Sequence, residues 1–178
     1  TDFSTEVMTS IIAARQILSN AANKTNPALT EAENTKLQEH IKMASVAWEK
    51  CIAATAVHYV NDLFADMDEY KSGTPATLSN FETVAKHWSE LKGFVMSLQF
   101  SPASPFRDAA VTAVDLDDLK HISMLLGDAP VLADGSQMGV APSGTADDAI
   151  YAYRGKLLEV RETLQSAYGF SDANTVAW

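Results

Sequence analysis

The chain has 178 residues, of which 47% are hydrophobic, so it can bury a core and does not have the composition of a disordered segment. Its formal net charge is -10, from 13 Lys and Arg against 23 Asp and Glu. Because these basic residues form no cluster, we expect neither nucleic acid nor an anionic membrane surface as a partner. No apolar run is long enough to span a membrane, so the chain is expected not to be membrane-spanning.

Apolar residues recur at three- and four-residue steps, which predicts α-helices and no strands. The five predicted helices cover residues 3–23, 30–70, 79–100, 116–126 and 146–168. The second is long for a globular protein. The fold class is therefore expected to be all-α, an antiparallel helical bundle of about five helices in a single domain, 1–178.

Helix boundaries are marked by specific residues. Thr30 and Ser79 each precede a Glu three residues later, which is the pattern of a capping box. Gly127 and Gly169 follow the fourth and fifth helices, where a left-handed residue often ends a helix. Residues 127–145 form a long loop rich in Gly, Asp, Pro and Ser, and loops of this length are usually functional or mobile.

The second helix carries two apolar rows, so it is predicted to have neighbours on both sides. One row contains Leu37, Ile41, Ala44, Trp48, Cys51, Thr55, His58, Asp62 and Ala65, and the other contains Ile52, Ala56, Tyr59, Leu63 and Met67. Placing the first row inside the bundle predicts that Trp48 packs in the core and that Cys51, the one cysteine, is a small buried thiol.

Two histidine–carboxylate pairs occur at helical spacing. His87 and Glu90 lie three residues apart on the third helix, and His58 and Asp62 lie four apart on the second, with Asp66 one turn later. Inward-facing His and carboxylate side chains form the metal sites of helical bundles. We therefore predict His87, Glu90, His58 and Asp62 as ligands of iron or zinc. The alternative is structural: His87 hydrogen-bonded in the core and Glu90 paired with a lysine.

The remaining motifs indicate no catalytic site. His121 follows several charged residues near a helix start, which favours a surface salt link. The sequence contains no nucleophile elbow, P-loop or dinucleotide-binding fingerprint.

Several segments together resemble an imelysin-related bacterial family, the domain of unknown function 4856. They are Trp48-Glu49-Lys50, Val57-His58-Tyr59-Val60-Asn61, His87-Trp88-Ser89-Glu90, Gly93-Phe94 and Leu98-Gln99-Phe100. The resemblance covers roughly residues 35–130. The imelysin pattern Gly-x-His-x-x-Glu aligns with residues 85–90, where His87 and Glu90 match and Ala85 replaces the glycine.

The resemblance implies an exported bacterial envelope protein, periplasmic or at the outer membrane and often a lipoprotein, linked to iron acquisition. It further implies that this chain is the C-terminal half of a two-bundle protein. Its expected partner is then the N-terminal half or a second copy of itself. The leading hypothesis is a non-catalytic metal-binding or iron-uptake accessory protein. The alternatives are a structural or partner-binding bundle without metal and, as a weaker one, a metallopeptidase with Glu90 as its base.

Overall fold

A computed structural model describes residues 2–71, 78–108, 110–111 and 113–178, with only the backbone at residues 70, 71, 78 and 79. The fold is an all-α helical bundle, as the sequence predicts. Its helices are α1 (Phe3–Ala22), α2 (Glu31–Lys71), α3 (Leu78–Ser97), α4 (Leu116–Leu126), α5 (Ala146–Tyr168) and α6 (Asp172–Ala177). Apart from one isolated bridge between Gln137 and Val140, these ranges contain no strand pairing.

The chain divides into two compact units, Thr1–Ile52 and Ala53–Trp178, with the boundary inside α2. In the first unit, the capping box predicted at Thr30 is present. The Thr30 amide donates to Glu33 Oε2 at 2.8 Å, and the Glu33 amide donates to Thr30 Oγ1 at 3.2 Å. The cap predicted at Ser79 is different, because α3 already begins at Leu78 and its cap falls among the residues outside the described ranges.

The core of the second unit uses one row of α2 and one row of α3. The fully buried residues of α2 are Ala53, Ala56, Val57, Val60, Leu63 and Met67. Those of α3 are Leu91 and Val95, and Leu98, which is also fully buried, follows directly after the helix. Leu91, Val95 and Leu98 follow one another at the four- and three-residue steps that are typical of a helical apolar face. On α2 the buried row lies on the opposite side from His58, whose side chain is 47% exposed.

Leu37, at the start of the His58 row, is buried, but the predicted inward position is wrong for His58, Trp48 and Cys51. In the first unit Trp48 is 63% exposed and Cys51 is an exposed free thiol, not a buried one. Of the second predicted row, Ala56, Leu63 and Met67 are fully buried, but Ala53, Val57 and Val60, which were assigned to neither row, are buried as well. Periodicity alone does not indicate which of two apolar rows faces the core.

The carbonyl oxygen of Leu126, at the end of α4, is the point where three elements of the second unit meet. The Trp88 indole N–H of α3 and the Tyr153 hydroxyl of α5 each donate to it at 3.0 Å. Burial of the Tyr153 phenol raises its pKa. Lys92 donates to the neighbouring carbonyls of Ser123 and Gly127, at 2.6 and 2.9 Å. These donors satisfy the free carbonyls of a helix end.

The loop over residues 127–145 closes this helix end. Gln137 donates to the Ala129 carbonyl at 2.7 Å and, more weakly, to that of Leu126 at 3.4 Å. Gly127 has φ 72, and a side chain there would meet Gln137, so this position requires glycine. α5 ends on Gly169 with φ 64 in the left-handed region, as predicted.

The short α6 was not predicted, and Asn61 of α2 holds it in place. The Asn61 amide donates to the carbonyls of Thr175 and Trp178, each at 2.8 Å, and Arg161 donates to Asn61 Oδ1 at 2.9 Å. A polar residue at a position where the pattern favours Leu or Ala is thus fully hydrogen-bonded. Among the helices described, none is long and apolar enough to cross a membrane.

Candidate functional site

A chain of histidines and carboxylates joins α2 to α3 in the second unit. The Nδ1–H of His87 donates to Asp66 Oδ2 at 2.6 Å, with side chains only 16% and 19% exposed. This is a short bond from an imidazole to a carboxylate across two helices, and such charge-assisted bonds are among the stronger ones in proteins. Asp66 follows Asp62 by one helical turn, and this spacing already indicated from the sequence that the two carboxylates lie on the same side of α2.

Asp62 lies between the two histidines. Its Oδ2 atom is 3.2 Å from His58 Nε2 on the same helix and 3.9 Å from His87 Nε2 on α3. The structure therefore brings three of the four predicted ligands, His58, Asp62 and His87, to one place. The contact with His58 is half open to solvent, whereas His87 is mostly enclosed.

Glu90, the fourth predicted ligand, lies beside Tyr59. Partial burial of the Tyr59 phenol, the Glu90 carboxylate next to it and, more weakly, Asp62 together raise the pKa of Tyr59. One oxygen of Glu90, Oε2, is enclosed and accepts no hydrogen bond. The i,i+3 spacing placed Glu90 on the same side of α3 as His87 but could not show that a tyrosine of α2 lies next to it.

The Tyr59 ring packs against both histidines of this site and against Phe94. Its ring centroid lies 5.1 Å from that of His58, 5.9 Å from that of His87 and 5.7 Å from that of Phe94, on which it stacks. The Tyr59 ring therefore lies beside both imidazoles, although the His58 side chain is still 47% exposed.

Contacts from His87 to Asp66 and Asp62 connect α2 to α3. The donor types also suit iron or zinc. In the described ranges, however, no three His, Cys, Asp or Glu side chains are arranged to hold a metal ion. Asp62 and Asp66 are engaged with the imidazole nitrogens that would be needed as ligands.

A second histidine–carboxylate pair provides a comparison on the surface. His121 of α4 contacts Glu159 of α5 at 2.8 Å, with side chains 54% and 53% exposed. The surface salt link predicted for His121 is thus confirmed. Its chemistry matches the pair of His87 and Asp66, but its exposure is about three times greater.

Comparison of the chain with known protein families, curated proteins and solved structures finds no match.

Proposed function

We propose that this chain is a non-catalytic accessory protein that works by binding another protein chain through the apolar surface of its first unit. One observation carries the proposal: large apolar side chains of α1 and of the beginning of α2 are exposed. They are Met8, Ile11, Ile12, Leu18, Ile41, Met43 and Trp48, each at least 48% exposed.

Single exposed apolar residues are ordinary, but a group of this size within 52 residues is not. At helical spacing, Met8, Ile11, Ile12 and Leu18 share one side of α1, and Ile41 and Trp48 share one side of α2, while Met43 faces away from them. Exposed apolar patches mark interaction sites in soluble proteins. Trp48 and the methionines are also residue types enriched where proteins bind one another. Covering these side chains would remove apolar surface from water, which is the main favourable term in association.

The resemblance to imelysin-related proteins suggests the occupant and the location. The partner proposed is the N-terminal half of the same protein or a second copy of this chain, in the periplasm or at the outer membrane. The residues that support this are those of the matching segments, among them His58, His87 and Glu90.

The test is the behaviour of the chain alone, by size-exclusion chromatography with light scattering and by binding of a hydrophobic dye. We expect self-association or strong dye fluorescence, and a decrease of either in Trp48→Ser. Tyr151→Ser is the matched control, because Tyr151 is an aromatic residue of the second unit with 72% exposure. A stable monomer that binds no dye would refute the proposal.

A metal-binding accessory protein, of the kind linked to iron uptake, is the second candidate. The observation that favours it is the position of Asp62 Oδ2, within 3.9 Å of two imidazole nitrogens. Asp66 would orient His87 from behind, as carboxylates do for histidine ligands of metals. Binding would require the contacts of Asp62 to be exchanged for bonds to the ion.

Titration of Fe²⁺ and Zn²⁺ into chelator-free protein tests this second candidate. Loss of binding in His87→Ala but not in His121→Ala would support a site at His58, Asp62 and His87. Equal binding by parent and both variants would place the metal elsewhere and refute it.

A further inference from the structure

The first unit is a hairpin of two helices, α1 and the part of α2 that ends at Ile52. Among its described residues, those that are buried are mostly small: Val7, Ser10, Ala21, Leu37, Ala47 and Glu49. Two packed helices enclose only the narrow strip between them, and a helix with a wider apolar face needs further neighbours. The hairpin therefore leaves many of its large apolar side chains in contact with water.

These side chains lie mainly on one side of the hairpin. The other side carries a depression of about 660 Å³, and both Thr9 of α1 and Glu39 of α2 line it. At about 100° per residue, Ile11 lies on the opposite side of α1 from Thr9, and Trp48 on the opposite side of α2 from Glu39. The apolar face identified in this way is made of Met8, Ile11, Leu18, Ile41 and Trp48, with Ile12 at its edge.

The apolar face is large enough for a dimer. Its five side chains are each about half exposed and together present about 500 Å² of accessible surface. Two copies would bury about 1,000 Å² from this face alone, which is the size that a specific interface needs. Arg15 also lies on the face and is exposed, and such a side chain packs its apolar stem while its guanidinium reaches water.

The distribution of charge favours a second copy of the chain at this face. Residues 1–52 contain six acids and five bases, a net charge of -1. Residues 53–178 contain 17 acids and eight bases, a net charge of -9. Because like charges brought together at an interface repel one another, two copies meet at lower cost through the first unit than through the strongly acidic second unit.

We propose that two copies of this chain associate through the apolar face of the first unit, so that their two hairpins form a four-helix bundle. The inference rests on the proposed function, that this unit binds a protein chain, and names the partner as a second copy. A two-fold axis would place the same face of each copy against the other, and four helices packed in this way enclose one core.

Sedimentation equilibrium of the full chain at several concentrations tests the inference. The mass should rise with concentration from 19.2 kDa towards twice that value. Raising the salt concentration should tighten the dimer by about two- to fivefold, because salt screens the repulsion between two acidic chains and leaves the apolar contacts unaffected. A hydrophobic dye should bind less per chain as the dimer forms.

Variants locate the interface. Ile11→Glu and Trp48→Ser should each weaken the dimer by about tenfold or more, because a two-fold interface contains each substitution twice. Met43→Glu is the matched control: Met43 is 57% exposed on the same part of α2 but lines the depression on the other side, so the dissociation constant should not change. Circular dichroism checks the helical content of each variant, and Leu18→Glu replaces any variant that loses it.

Three outcomes would overturn the inference. A chain that stays monomeric and binds the dye would exclude a second copy but leave the proposed function standing, with a different protein as the occupant. A monomer that binds no dye would refute both. A dimer that is weakened as much by Met43→Glu as by Ile11→Glu, or one that dissociates as salt is added, would show that a different surface holds the two copies together.

Discussion

Replacement of His87 by alanine tests how the cluster stabilises the second unit. His87→Ala removes the 2.6 Å bond to Asp66 and leaves that carboxylate, only 19% exposed, without its imidazole partner. The matched control is His121→Ala, which removes a 2.8 Å contact to Glu159 whose side chains are more than half exposed. The two changes delete the same side chain and differ mainly in burial.

The expected magnitudes follow from that difference. A hydrogen bond to a charged group contributes about 1.5–3 kcal/mol when buried, and the residual exposure of His87 and Asp66 reduces this to about 1–2 kcal/mol. Exposed ion pairs contribute about 0–1 kcal/mol, which is the range expected for His121→Ala. In a domain of this size, 1 kcal/mol corresponds to about 2–4 °C in Tm.

Urea denaturation followed by circular dichroism measures both variants. A double-mutant cycle with Asp66→Asn isolates the pair, and we expect a coupling free energy of at least about 0.5 kcal/mol between His87 and Asp66. Equal destabilisation by His87→Ala and His121→Ala, or no coupling with Asp66, would refute the reasoning. The cluster would then not join α2 to α3.

Three further predictions concern residues that hold the helices of the second unit together. Gly127→Ala should destabilise the fold by about 1–3 kcal/mol, because φ 72 is strained for alanine and a Cβ would lie 3.0 Å from Gln137 Cδ. Gly93→Ala is the control: its Cβ would meet nothing within 4 Å, so it should stabilise the fold by about 0.5–1 kcal/mol. Thermal melts measure both changes. Asn61→Ala should speed amide exchange in α6, because two carbonyls lose their donor. The pKa of Tyr153 is raised above 10.0 in the folded state, so the stability that its protonated phenol contributes is present below about pH 10 and is lost as the pH rises further. Urea titrations from about pH 8 to 11 should therefore show the free energy of unfolding of the parent falling relative to that of Tyr153→Phe.

The sequence by itself determined the helical class and most helix ends. The three- and four-residue spacing of apolar residues gave α4 and α5 their observed bounds, since those helices are amphipathic with clear end signals such as Gly127 and Gly169. It also showed that His58, Asp62 and His87 were unusual, because polar side chains interrupt apolar rows there. These are local properties, set by residue spacing and by the conformations that glycine allows.

Only the tertiary structure decided what lies next to these residues. Because α2 has two apolar rows, spacing could not show that the His58 row faces outward, and Trp48 and Cys51 were therefore placed in the core incorrectly. The pairing of His87 with Asp66, the position of Glu90 beside Tyr59 and the anchoring of α6 by Asn61 join residues distant in sequence. Such contacts depend on how whole helices pack, and a periodic pattern specifies the face of a helix but not the partner that covers it.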